Sequence, residues 1–253
     1  MSKDNEKKNG KEGEFSPENM DSPQQQIVDM GSSVVTNRHG TIHCLTIIGQ
    51  VEGHMLLPGT SKTTKYEHVL PLLAAIEESD EVDGLLVLLN TVGGDIEAGL
   101  AIAELIAGMQ KPTVTLVLGG GHSIGIPLAV SGKVTMIAPS ASMTIHPVRM
   151  SGTVIAVPAT YQYFDRIQER IIAFVAKNSH ISADRFRALM LATGDMANDV
   201  GSIVYGEEAV ELGLMDQIGT LSDALNCLYE MIDHQNDNRD DKDEKKDDNE
   251  KES

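Results

Sequence analysis

Two apolar runs that each end in glycines and lead into a helix constrain this fold more than any other feature. The first is GLLVLLN (84–90), which is followed by TVGGD and by IEAGLAIAELIAGM, a segment whose apolar residues recur at helical spacing. The second is VTLVL (114–118), which is followed by GGGHSIGIP (119–127). Strands that alternate with helices form parallel sheets through right-handed crossovers. The sequence therefore predicts an α/β fold in which helices flank a parallel sheet.

The same patterns predict the other elements of the chain. Asp95 and Ser182 stand where N-caps of helices are expected. The predicted helices cover 65–78, 96–109, 123–132, 161–178, 183–191, 207–213 and 221–232, and further strands are predicted at 42–51, 134–138, 142–146 and 153–157.

The chain has 253 residues, enough for one large core. We expect one folded unit over about 30–232. The polar segment 1–29 and the acidic segment 233–253 are expected to be solvated tails without fixed structure. Within the second, residues 234–253 hold nine acidic and five basic residues and no apolar one, so they offer nothing to bury.

Charge and hydropathy exclude several classes of protein. The formal net charge of −18 argues against a nucleic-acid partner, because phosphate binding needs clustered basic residues. No apolar run reaches the roughly 18 residues of a membrane span. The opening MSKDNEKKNGKEGEF lacks the apolar middle of a secretory signal, so we expect a cytoplasmic protein. Cys44 and Cys227 are far apart in sequence and indicate neither a disulfide framework nor a metal site.

Ser123 is the candidate nucleophile of the chain. A serine hydroxyl needs a base to take its proton and hydrogen-bond donors to hold the oxyanion that forms. The glycines before Ser123 permit a sharp turn from strand to helix, and that turn would aim free N–H groups at a reacting carbonyl. The N–H of Ile124 is the predicted first donor. The N–H of Gly94, in the turn that follows the neighbouring strand, is the second.

The base is expected from another part of the fold. His146 ends the strand-like segment SMTIH and is the candidate. His122 adjoins the serine, but neighbouring side chains at a turn generally diverge. A carboxylate should orient the imidazole. Asp195 and Asp199 are both candidates for it, and their spacing does not separate them.

Four segments together resemble the proteolytic subunits of the Clp protease family, in the ClpP/crotonase superfamily. They are LLNTVGGDIEAGLAIAELI, GGGHSIG, MTIHPV and GEEAVELGLMDQIG. The resemblance implies a ClpP/crotonase-like fold, with stacked parallel sheets flanked by helices and a protruding strand/helix handle. It also implies a serine endopeptidase that needs no metal or organic cofactor and assembles into stacked rings of identical subunits. In this reading Ser123, His146 and Asp199 form the triad, and Gly94 and Ile124 form the oxyanion hole.

Three shorter motifs point to one branch of that family. GGGHSIGIP, TIHPVR and NDVG resemble a branch that is linked to preprotein export. This resemblance implies preproteins or signal peptides as substrates. It also implies an ATPase or a component of the export machinery as partner.

Departures from the family pattern leave alternatives open. A gapless alignment from GEEAVELG backward places Gly201 where the family has its aspartate, and a shift of two residues recovers Asp199. Lys177 is an alternative base, as in related enzymes with a serine–lysine pair. A non-catalytic scaffold and an acyl-CoA enzyme of the crotonase type are two further readings.

Overall fold

A computed structural model describes residues 31–149, 156–194 and 200–251, with side chains as far as Asp237. Asp195 and Asp199 lie outside the described residues, as do the N-terminal segment 1–29 and most of the strand predicted at 153–157. The last residue of that predicted strand, Val157, begins a helix instead.

A mostly parallel sheet forms the centre of the described structure. Its strands are β1 (Ser32–Asn37), β2 (Gly40–Glu52), β3 (Thr63–Lys65), β4 (Gly84–Gly94), β5 (Thr113–Gly121), β6 (Val134–Ile137), β7 (Ser142–Ile145), β8 (Ser202–Tyr205) and β9 (Gln217–Ile218). They follow the order β1-β2-β4-β5-β6-β9; β3 pairs with β2, and β7 branches from β5 and pairs with β8. The β1–β2 and β7–β8 pairs are antiparallel, and the other pairs are parallel.

Helices cover both faces of this sheet, as the sequence predicts. They are α1 (Tyr66–Glu78), α2 (Ile96–Gly108), α3 (Gly125–Ala129), α4 (Val157–Lys177), α5 (Ala183–Met190), α6 (Gly206–Glu211) and α7 (Leu221–Lys251). The predicted caps are confirmed: Asp95 accepts from the Ala98 N–H at 2.9 Å, and Ser182 accepts from the Arg185 N–H at 3.2 Å.

Strand β4 shows why the sheet is parallel and central. Leu85, Val87 and Leu89 pack on one face with α1 to α5, and Leu86 packs on the other face with α7. A strand buried on both faces has an unbroken apolar run, which is the pattern of covered parallel sheets. The α/β fold class is confirmed, and the architecture is consistent with a ClpP-like fold.

The structure differs from the sequence prediction where the elements are short or polar. Strands β1, β3, β8 and β9 were not predicted, because they are brief or lack an apolar alternation. Helix α7 continues to Lys251, through most of the segment expected to lack fixed structure. No Gly or Pro occurs between 221 and 251 to end it.

Within the described residues, no helix is both long enough and apolar enough to cross a membrane.

Candidate active site

Ser123 lies in the turn between β5 and α3. Its φ of 57° places it in the left-handed region, and it is the one non-glycine residue there among those the structure describes. Such a conformation costs about 1–2 kcal/mol in a residue with a Cβ atom. Strained strand-to-helix turns of this kind present a nucleophile at the end of a parallel sheet.

Gly93 packs directly against this serine. A Cβ atom on Gly93 would lie 2.7 Å from Ser123 Cβ and 3.2 Å from Ser123 Oγ, and the φ of Gly93 is +90°. Only glycine combines that backbone with that close approach. The glycine pair that ends β4 therefore lets the serine turn lie against the backbone of this neighbouring strand.

Two backbone amides have the placement expected of oxyanion donors. The Ile124 N–H has no hydrogen-bond partner among the described residues, whereas the next two amides donate to His122 O and Ser123 O. The Asp95 N–H donates to Val51 O of β2. Because successive amides of a strand point to opposite edges, we expect the Gly94 N–H to point away from β2. Gly94 lines the same cleft as Ser123.

Strand β7 holds the serine turn through Thr144. The Ser123 N–H donates to Thr144 O at 2.9 Å. In return, the Thr144 N–H donates to His122 Nδ1 at 3.1 Å, and Thr144 Oγ1 lies 2.9 Å from the same nitrogen. Two consecutive residues of the turn are thereby bonded to one residue of the strand that leads to His146.

His122 is held as a neutral imidazole. Its Nδ1 accepts a backbone N–H, so that nitrogen carries no proton. Burial lowers the pKa of His122, and the neighbouring His146 lowers it further. The ring lies over Gly120, where a Cβ atom would come within 2.5 Å of His122 Nε2.

His146 follows β7 and faces the same cleft as Ser123. Its Nδ1 lies 2.7 Å from Pro147 O, and because a carbonyl only accepts, Nδ1 carries the proton of the neutral ring. This leaves Nε2 as the nitrogen with a free lone pair. The imidazole therefore has the tautomer that a general base needs.

Ser123 and His146 are brought to one cleft without a direct hydrogen bond. Within the described part of the chain, no hydrogen bond joins Ser123 Oγ to His146. Both line a cleft of about 550 Å³, together with Gly94 and Ile124. Catalytic hydrogen bonds are often long in the absence of substrate and tighten when it binds.

The rest of the cleft wall is mostly apolar, but it also includes Pro147 and the charged Arg149. The apolar lining comprises Ile96, Ile126, Ile145, Val148, Ile171, Phe186 and Met190.

The position at which the gapless alignment expects the aspartate is occupied by a glycine that contacts His146. Gly201, which the gapless alignment puts at the aspartate position, packs against the backbone of His146: a Cβ atom there would lie 2.3 Å from Ile145 O and 3.0 Å from His146 Cα. Residue 201 thus cannot carry a side chain in this conformation. Asp199 is two residues away along the chain, outside the described residues. Among the described residues, the partner of His146 Nδ1 is Pro147 O.

Lys177, the alternative base, lies elsewhere. It is at the last residue of α4 and lines a groove between α2 and α4 with Glu97, Glu104 and Arg170. It is absent from the lining of the cleft that contains Ser123.

Three contacts at this site were not predicted from the sequence: those of Thr144, of the Pro147 carbonyl and of the His122 ring. Thr144 is two residues before His146, so the two side chains are expected on the same side of the chain.

Among the described residues, no group of three or more His, Cys, Asp or Glu could hold a metal ion.

Comparison with known proteins agrees with the family resemblance of the sequence motifs. The sequence pattern of the Clp protease family matches residues 39–222. The chain is 52% identical over 212 residues to the translocation-enhancing protein TepA of Halalkalibacterium halodurans, an alignment that covers 83% of each chain. It is 25% identical over 172 residues to an ATP-dependent Clp protease proteolytic subunit of Streptococcus pneumoniae, covering 65% of this chain and 83% of the other.

Proposed function

The chain belongs to the Clp protease family, and on that premise we propose that it is a serine endopeptidase with Ser123 as nucleophile and His146 as general base. The observation that carries the proposal is the meeting of four groups in one cleft: the strained serine, the imidazole, and the amides of Gly94 and Ile124. A left-handed φ is uncommon in a residue with a Cβ atom, and such residues cluster at active sites.

The mechanism follows from the placement of these groups. Ser123 Oγ attacks the carbonyl carbon of the scissile peptide while its proton passes to His146 Nε2. The N–H groups of Gly94 and Ile124 donate to the oxyanion of the tetrahedral intermediate. When the intermediate collapses, the amine leaves with the proton from His146. A water molecule then hydrolyses the acyl-enzyme with the same base.

Asp199 is the proposed carboxylate of the triad. Gly201 packs against His146, so the side chain of Asp199, two positions earlier in the chain, needs to cover only a short distance to reach the imidazole. A carboxylate in this role would have to replace Pro147 O as the acceptor for His146 Nδ1. This exchange is favourable because a charged acceptor forms a stronger hydrogen bond than a carbonyl. Comparing Asp199→Asn with Asp195→Asn tests the choice: the first should lower turnover and the second should not.

Preproteins or signal peptides are the proposed substrates, with cytoplasmic location and an export-machinery or ATPase partner. The support is the 52% identity to a protein named for enhanced translocation. The cleft wall, which is mostly apolar and includes Arg149, also suits peptides rich in apolar side chains, which signal peptides are. Casein, a polar unfolded protein, is the comparison substrate.

A homo-oligomer of stacked rings is part of the same proposal. The beginning of α4 exposes large side chains that a monomer would leave in water: Val157 is 67% exposed, Tyr161 71% and Tyr163 57%. Exposed apolar surface of this kind is typical of protein interfaces. A mass measurement in solution that finds only monomer would contradict the assembly.

The experiment offers casein and signal peptides to the purified full chain and to Ser123→Ala. We expect cleavage products from the wild-type protein and none from the variant. Products that persist in Ser123→Ala would place the chemistry elsewhere.

A non-catalytic scaffold is the second candidate. Two observations on the described residues favour it: no hydrogen bond joins Ser123 to His146, and the partner of His146 Nδ1 is the backbone carbonyl of Pro147. Absence of any Ser123-dependent product or adduct would decide for the scaffold.

A further inference from the structure

The serine turn and strand β7 exchange hydrogen bonds in both directions. Ser123 N–H donates to Thr144 O, and Thr144 N–H donates to His122 Nδ1. The threonine hydroxyl, 2.9 Å from the same nitrogen, adds a third contact. Because His146 comes two residues after Thr144, this link connects the nucleophile's turn to the chain that carries the base.

We propose that His122 is a positioning residue, which through Thr144 fixes the separation of Ser123 and His146. The proposal rests on the proposed peptidase function. Without the His122 contacts, only the single bond from the Ser123 amide would hold the turn to β7 at this point. A displacement of about 1 Å between reacting groups can lower the rate about a hundredfold. Loss of the His122–Thr144 hydrogen bonds is therefore expected to slow the reaction of Ser123.

The geometry excludes His122 as an alternative base. Its Nδ1 is occupied by the Thr144 donors, and its Nε2 edge lies over Gly120. The positioning role also needs a neutral ring, since a protonated Nδ1 would meet the Thr144 N–H as one donor facing another. Burial and the neighbouring His146, which both lower the pKa of His122, favour that neutral state.

Three substitutions at His122 separate the roles of its two nitrogens. His122→Asn puts an amide oxygen close to the position of Nδ1 and keeps an acceptor for Thr144. His122→Gln places its oxygen near the position of Nε2 instead, and His122→Leu removes the acceptor while keeping an apolar side chain of substantial volume. His68→Asn is the matched control, because His68 is exposed on α1 and does not line the cleft.

The first measurement is the rate at which a fluorophosphonate labels Ser123 in each full-length variant. We expect His122→Asn and His68→Asn to label at close to the wild-type rate. His122→Gln and His122→Leu should label about 10 to 100 times more slowly, because the serine turn loses its register with His146. Equal rates in His122→Asn and His122→Leu, whether both fast or both slow, would overturn the positioning role.

The second measurement is hydrogen exchange at the Thr144 amide, which needs no turnover. That amide should be protected in the wild type and in His122→Asn, and should exchange about fivefold faster or more in His122→Gln and His122→Leu. Unchanged protection in all variants would overturn the proposed link. A wild-type protein that fails to label while showing the expected exchange pattern would refute the peptidase proposal and leave the His122–Thr144 link standing.

Discussion

The backbone N–H of Ser123 donates to the carbonyl oxygen of Thr144 at 2.9 Å, and this bond joins the turn after β5 to the strand that precedes His146. The two strands meet in the sheet through a single pair, Gly120 with Ser142. The hydrogen bonds between the serine turn and Thr144 therefore extend the contact between β5 and β7 beyond this one pair. That contact brings Ser123 and His146 to one cleft.

The left-handed conformation of Ser123 makes a stability prediction. Ser123→Gly should be more stable than Ser123→Ala by about 0.5–1 kcal/mol, because glycine adopts a φ of 57° without the cost that a Cβ atom imposes. Both variants lack the hydroxyl, so the difference reports the cost of this φ in the folded protein, reduced by the greater freedom of glycine in the unfolded chain. Chemical denaturation of the two variants measures it, and equal unfolding free energies would argue against strain at this turn.

The contact between Gly93 and Ser123 predicts a large effect of one methyl group. Gly93→Ala should lower both stability and Ser123 labelling, because the new Cβ atom would lie 2.7 Å from Ser123 Cβ at a φ of +90°. Gly59→Ala is the control, since a Cβ atom there meets nothing within 4 Å. Melting temperature and labelling rate check the pair, and a Gly93→Ala protein that behaves like Gly59→Ala would refute the close packing.

The buried His43 predicts a pH dependence of stability. Burial lowers the pKa of His43 from 6.5, and its Nε2 has no hydrogen-bond partner among the described residues. The unfolded chain therefore takes up a proton at this residue below about pH 6.5 that the folded chain does not, so unfolding becomes easier as the pH falls from 6.5 toward the folded-state pKa. His43→Leu should lose less stability over this interval than the wild type.

Denaturant titrations of the two proteins at pH 7 and pH 5 measure that difference. His122, whose pKa is lowered too, should leave part of the dependence in the variant. Identical losses of stability in both proteins would contradict the assignment to His43.

The separate location of Lys177 predicts that it is dispensable for chemistry. Lys177→Ala should keep turnover within about threefold of wild type, whereas His146→Ala should lose about 10²–10⁴-fold, the usual contribution of a general base. Parallel assays with one peptide substrate measure both. The reverse order would support a serine–lysine mechanism.

The central elements of this fold were predictable because their signals are local. The apolar run of β4, the N-cap Asp95 and the amphipathic pattern of α4 each indicate their structure within one segment. Strand β9 has two exposed residues and depends on its neighbour β6, so no local pattern marks it. The end of α7 was missed for the opposite reason, since its polar composition indicated a tail.

Some features of the candidate site also have a local signal in the sequence, whereas others depend on tertiary contacts. Gly94 ends one apolar strand and Ser123 lies in the glycine turn after another, and the glycines at both places are visible in the sequence. The bond from His146 Nδ1 to Pro147 O and the contacts of Thr144 with His122 depend on how two strands meet. Such tertiary contacts have no signature in the spacing of residues along the chain.

Labelling by a fluorophosphonate, with the adduct located by mass spectrometry, tests the central claim most directly. The wild-type protein should carry the adduct on Ser123, Ser123→Ala should carry none, and His146→Ala should acquire it far more slowly. An adduct that forms equally well without His146, or none at all on a correctly folded wild-type protein, would contradict the claim that these two residues form a working peptidase pair.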